Sequence, residues 1–218
     1  MTEPVKQLIA VAAAILLSAV GYYGNYLPLA KSQSFIDTMR KANSGQYRTV
    51  AEFENGFRAV LDAPSPIGQE ELVRNLGSIV MSAVGGSANN PKVIEELIKF
   101  ISEYYDPIIQ SGRGMSSGQN VFVMGSINQL AGVRTKDPRY FEAAKRYYLR
   151  GLESAPIRPQ YLYGLFDVYR NGGDIENAKL IGERILSIWP TDDRLQKILD
   201  DFLAASAQPT STKKTGTR

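Results

Sequence analysis

The sequence predicts an all-α chain: one N-terminal transmembrane helix followed by an array of helical hairpins stacked as an α-solenoid. Three observations carry this expectation. No charged residue occurs between Lys6 and Lys31, and residues 8–20 read LIAVAAAILLSAV. Helix-start signals recur through the rest of the chain. Behind them apolar residues return at helical spacing, without the period-2 alternation of half-exposed strands.

The N-terminal segment is assigned to residues 7–30. From Leu8 to Tyr26 a helix would be roughly 28 Å long, close to the bilayer hydrocarbon thickness of about 30 Å. Tyr22, Tyr23 and Tyr26 then fall at the headgroup level, where amphipathic rings are favoured. Pro28 has no N–H for the helical ladder, so the helix is expected to end there as the chain leaves the membrane. A cleaved signal peptide fits less well, because the n-region holds one lysine and one glutamate and the best small-residue pattern, Ala19-Val20-Gly21, precedes the aromatic cluster. A buried soluble helix seldom runs so far without a polar face. The expected location is therefore a membrane, with a single pass. Lys31, Arg40, Lys41 and Arg48 follow the span and only Lys6 precedes it, which favours a cytoplasmic C-terminal domain, but long domains escape that rule. The side stays open.

Composition removes several functions. The 218 residues include no cysteine and no histidine. Disulfides, thiolate nucleophiles, Cys/His zinc sites, Ser-His-Asp triads and imidazole acid-base chemistry are thereby excluded together. Basic residues number 25 and acidic ones 22. Lys213, Lys214 and Arg218, in an acid-free tail, account for the whole excess. The body has no surplus of the kind that drives nucleic-acid binding. No cofactor and no metal are expected.

After the span, Thr49-Val50-Ala51-Glu52 has capping-box form. Ser65-Pro66, Asn90-Pro91 and Asp137-Pro138 each put a capping side chain before a proline at the first helical position. Asp174 caps another helix after Gly172-Gly173. The resulting map places helices at 33–43, 49–63, 66–84, 91–105, 119–133, 138–154, 159–171, 174–188 and 192–205. Short turns favour antiparallel neighbours, hence hairpins. Ser111 to Gly118 is Gly/Ser-rich but lacks the following Lys-Ser/Thr and preceding strand of a P-loop, so it reads as a linker. The organisation is irregular hairpins over 31–118, repeats with a capping helix over 119–205, and a disordered basic tail over 206–218.

The repeats rest on a period of 34 residues: Ala144 recurs as Ala178, Leu152 as Leu186 and Pro156 as Pro190. Here the chain resembles the tetratricopeptide repeat, a helix-turn-helix unit of 34 residues. The better unit, Pro159 to Pro190, offers Leu162, Leu165, Tyr169, Ala178, Ile185 and Pro190 for its packing positions, with Phe166 where a glycine is usual. The preceding unit keeps Gly132, Ala144, Tyr148 and Pro156 but has Asn128 and Thr135 where aromatics are usual. Leu195 to Leu203 would cap the array. A looser resemblance covers more of the chain. An Asn-x-x-Pro-Leu-Ala exit from the last span (Asn25 to Ala30), a Ser-Pro-x-Gly-x-Glu turn (Ser65 to Glu70) and an Ala-Pro-x-x-x-Gln-Tyr entry (Ala155 to Tyr161) occur in order. They are similar to the C-terminal tail of O-antigen ligase/polymerase-like membrane proteins of the bacterial cell envelope. In that family glycan transfer belongs to preceding transmembrane segments, so no catalytic residue carries over.

The carboxylate pairs Glu70-Glu71, Glu95-Glu96, Asp192-Asp193 and Asp200-Asp201 point about 100° apart on a helix and do not converge. Catalytic residues and enzyme activity are therefore not expected. The tetratricopeptide resemblance instead implies a groove whose specificity comes from outward positions on each first helix: Gln160, Tyr163, Asp167, Arg170 and Asn171 in the better unit. The expected function is a membrane-anchored protein-interaction or scaffold module. Its partners would be the bilayer, through residues 7–30, and a protein or peptide. The alternative is an accessory or detached tail of a surface-glycan assembly protein.

Overall fold

The computed structural model describes residues 2–86, 90–112 and 117–207, and within them the protein is all-helical. The linker expected over 111–118 falls partly, and the tail from Gln208 wholly, outside the described residues. Nine helices are described: α1 (Glu3–Asn43), α2 (Val50–Leu61), α3 (Gln69–Gly86), α4 (Pro91–Ser111), α5 (Ser117–Thr135), α6 (Pro138–Ser154), α7 (Pro159–Gly172), α8 (Ile175–Ile188) and α9 (Asp193–Ala207). Two compact units divide the chain between Asn120 and Val121, within α5.

The predicted caps form where local chemistry demands them. Thr49 accepts from the Glu52 N–H, and the Glu52 carboxylate reaches back to the Arg48 N–H at 2.8 Å. Asn90, Asp137 and Asp174 accept from the N–H groups of Val93, Arg139 and Asn177. Each bond satisfies an amide that the helix start leaves without a partner. At the other end of α7, Gly173 adopts φ +78°, and the N–H of Asp174 returns to the Tyr169 carbonyl. This closes α7 one residue before the α8 cap.

Four expectations are corrected. The helix does not end at Pro28, and 33–43 is not a separate element: α1 runs unbroken for 41 residues, roughly 60 Å. The chain passes the proline by a π-helical turn over Tyr22–Tyr26, in which the Leu27 N–H bonds five residues back to Tyr22. The wider turn relieves the clash a proline ring makes with the carbonyl four residues earlier. Ser65 caps nothing; its hydroxyl donates to the Ile67 carbonyl, Gly68 turns the chain at φ +90°, and α3 starts at Gln69. The fourth helix continues through Pro107 to Ser111, where Gly112 stops it in the left-handed conformation. Lys31, the first of the basic residues that follow the span, is buried.

The first unit packs α1, α2, α3 and α4 against one another. Only the second half of α1 takes part, with Lys31, Phe35 and Thr38 on its covered face. Phe35 meets Phe57 of α2 at 5.7 Å between ring centroids, and Phe53 of α2 reaches Phe100 of α4. Lys31 makes the most connected polar contact. Its ammonium donates to the carbonyls of Leu61 and Ala63 and to Gln69 Oε1, at 2.9, 2.6 and 2.6 Å. One residue of α1 thus caps the end of α2 and holds the start of α3. Burial pushes its pKa below the usual lysine range and the Asp62 carboxylate pulls it back. Three acceptors match the three donors of an ammonium, whereas a neutral amine has two.

In the second unit, from Val121, each helix packs on the next, and aromatic rings seat on glycines. Tyr148 of α6 lies between Gly125 of α5 and Gly164 of α7, where an added Cβ would come within 2.6 and 2.5 Å of its ring. Its hydroxyl donates to Gln129 Oε1 at 2.7 Å. Phe141 covers Gly132, and Tyr161 covers Gly151, in the same way. These contacts let neighbouring helices approach closely while each ring fills the remaining space.

Replacing Lys31 with methionine strips three acceptors of their donor. The expected loss is about 1–3 kcal/mol of stability in denaturant unfolding. Hydrogen exchange should rise first across residues 61–69, and unchanged protection there would refute the role given to Lys31.

Candidate functional site

Between α7 and the N-terminus of α9 lies a cleft of about 450 Å³ lined by Tyr163, Phe166, Asp167, Asp192, Arg194, Leu195 and Ile198. The alternation of roles follows from helical spacing. On α7, Leu162, Leu165 and Phe166 are buried, while Tyr163 and Asp167, four residues apart, share a neighbouring half-buried face. On α9, Leu195 is buried while Arg194 is exposed.

Tyr163 and Asp192 form a polar contact across the cleft. The phenol donates to Asp192 Oδ2, and its ring packs against Trp189 at 6.0 Å. Asp192 also accepts from the Leu195 N–H at 2.9 Å and so caps α9. The phenol and this amide together hold the Asp192 carboxyl below the ordinary carboxylate range. Burial, reinforced by the carboxylate, pushes the Tyr163 phenol up to about 12. Asp167 pairs with Arg170 at 2.9 Å, and the guanidinium lies over Phe166. Arg194, by contrast, makes no ion pair among the described residues. Its charge adds to the lowering of the Asp192 pKa, and the cleft thus sets a cation outside any close ion pair beside an apolar floor of Phe166, Leu195 and Ile198.

Of the five residues expected to form the groove, Tyr163 and Asp167 line this cleft. Arg170 sits half-buried behind Asp167, its Nε buried without a hydrogen-bond partner. Gln160 is exposed beside Arg158, outside the cleft lining. Asn171 donates to the Asp167 carbonyl and lines a second hollow, about 350 Å³, together with Lys136, Phe141, Lys145 and Tyr169. Sequence reasoning missed the α9 wall. It placed Asp192 in a carboxylate pair that does not converge and gave Leu195 to Leu203 the role of capping the array. The readable signal was Asp192 three residues before Leu195, a capping pattern that fixes where α9 starts.

Among the described residues no cluster of three or more acidic, His or Cys side chains is placed to hold a metal. Compared with family models, curated proteins and solved structures, the chain matches none.

Because the Asp192 pKa is depressed in the fold, its contribution is fully present above the ordinary carboxylate range and is lost as pH falls through the depressed value. Hydrogen-exchange protection in the first turns of α9 should therefore drop on acidification. In Asp192→Ala, which removes the capping oxygen, that protection should be low at neutral pH already and show no acid step; a step of unchanged size would refute the assignment.

Proposed function

We propose that the protein is a membrane-anchored helical interaction module, without catalysis of its own, that captures a protein partner in the cleft between α7 and α9. The observation that carries this reading is the cleft's chemistry. Its own carboxylates are engaged by Tyr163 and Arg170, leaving the Arg194 guanidinium beside an apolar floor. The complementary ligand is a peptide segment with an apolar side chain next to a carboxylate. The 34-residue period supports reading α5 to α9 as degenerate tetratricopeptide units, in which such a cleft lies between successive first helices.

The anchor reading rests on α1, which is long and apolar enough to cross a bilayer. None of that apolar window is covered by the rest of the chain, unlike a soluble core helix. The tyrosines Tyr22, Tyr23 and Tyr26 stand at its end, all exposed. Location in a membrane with a single pass follows from this proposal. A second reading, an accessory chain of surface-glycan assembly, draws support from the Asn25 to Ala30 exit motif, because that motif begins within the π-helical turn joining the apolar half of α1 to the packed half.

Alkaline carbonate washing should leave the chain with the membranes. Gentle detergent extraction should then release it apart from large polytopic proteins on the first reading and bound to one on the second. Recovery in the alkaline supernatant would overturn the anchor.

A photo-cross-linker at Asp167 should trap the partner, and one at Glu183, exposed on α8, should not. Arg194→Glu should weaken capture by roughly fivefold, equivalent to about 1 kcal/mol, as for an exposed charge contact. Tyr163→Ala is a poorer probe, because it also removes the contact to Asp192. Equal trapping at both positions would sink the cleft assignment.

A further inference from the structure

We infer that the turn joining α2 to α3, residues 62–68, is a second membrane contact, lying on the lipid headgroups beside α1 with the Ile67 side chain inserted among the first acyl carbons. This inference rests on the reading that α1 spans the bilayer.

The height of the turn is set by Lys31. The same ammonium holds the Leu61 and Ala63 carbonyls on one side of the turn and Gln69 on the other. Side chains on a helix lean toward its N-terminus, which for Lys31 is the side of the apolar segment. The folded unit also begins to cover α1 there: Leu27, Pro28 and Ala30 are partly buried, whereas every residue from Val20 to Tyr26 is exposed. No linker separates span from domain, because α1 is continuous through this region. The edge of the first unit therefore stands level with residues 27–31, immediately past Tyr26. That is the headgroup layer if the tyrosines mark it.

The turn has the composition for this position. From Ala63 to Gln69 it carries no charge, and Pro64 and Pro66 brace it. The bond from Ser65 Oγ to the Ile67 carbonyl at 2.7 Å, with Gly68 at φ +90°, holds the turn in shape. Ile67 is 61 % exposed. Among the described residues of 44–120 it is the sole large hydrophobic side chain left in the open. The charges flanking the turn are each partnered, Lys31 inward as described and Asp62, itself exposed, by the Tyr104 hydroxyl at 2.9 Å. Glu70 and Glu71 follow at the start of α3, so attraction to anionic lipid does not drive the contact. It is apolar and should form on zwitterionic membranes.

The chain has no cysteine, so a single introduced thiol can carry an environment-sensitive fluorophore on the full-length protein. Ile67→Cys, Ala14→Cys and Gln46→Cys would be labelled and reconstituted into phosphatidylcholine vesicles bearing nitroxides at a shallow or a deep acyl position. The label at 67 is expected to emit to the blue of the label at 46 and to lose more intensity to the shallow nitroxide than to the deep one. The label at 14, in mid-span, should respond chiefly to the deep nitroxide. The label at 46 lies just past Asn43, where α1 ends about 18 Å along its axis from Lys31, and should respond only to aqueous iodide. If iodide quenches position 67 as strongly as position 46 while position 14 reports lipid, the turn contact is overturned and the anchor stands. Shielding of position 67 from both iodide and nitroxides would mean that protein covers the turn, and would also overturn the lipid contact. If position 14 reports water, the anchor falls and the turn contact with it.

Discussion

A buried lysine organises the first half of this protein. Lys31 stands one turn beyond the apolar segment of α1 and is 6 % exposed. Desolvating an ammonium is costly unless its donors all find acceptors. Here the acceptors are two carbonyls at the end of α2 and the side chain that opens α3. Those carbonyls need donors as much as Lys31 needs acceptors, since the last turn of a helix leaves its C=O groups unpaired. The mutual need fixes three helices at one point. Phe35, four residues on and on the same face, then meets Phe57 to continue the contact in apolar form.

The second half solves its packing differently. There the recurrent contact is an aromatic ring against a glycine, with Tyr148 gripping Gly125 and Gly164 on opposite sides. The Tyr148 hydroxyl lies beside Ser126 and donates to Gln129, so a large residue is buried without leaving its polar atom unpaired. Asn128, where a repeat of the expected kind has an aromatic, is buried and turns its amide onto the Met124 carbonyl of its own helix.

What could be read from the sequence was mostly local. Thr49, Asn90, Asp137 and Asp174 act within three residues of themselves, so their caps follow from spacing alone. Pro28 misled because a proline's effect is local while its accommodation is not: a widened turn over Tyr22–Tyr26 absorbs it. The partners of Lys31 lie 30, 32 and 38 residues away, and nothing in a linear pattern singles them out. The candidate cleft divides the same way. Tyr163 and Asp167 follow from helical spacing on α7. The Asp192 contact, 29 residues distant, required knowing which end of α9 meets that face.

On the anchor reading proposed above, the uninterrupted course of α1 makes the first unit a lever. Transmembrane helices answer a change in hydrocarbon thickness by tilting, commonly by about 20°. With a flexible tether such a tilt would be lost at the joint. Here the shaft that tilts is also a core element of the first unit, so in a bilayer any hydrophobic mismatch becomes a swing of that unit over the surface. The orientation of what α1 carries would then depend on the thickness of the membrane that holds it.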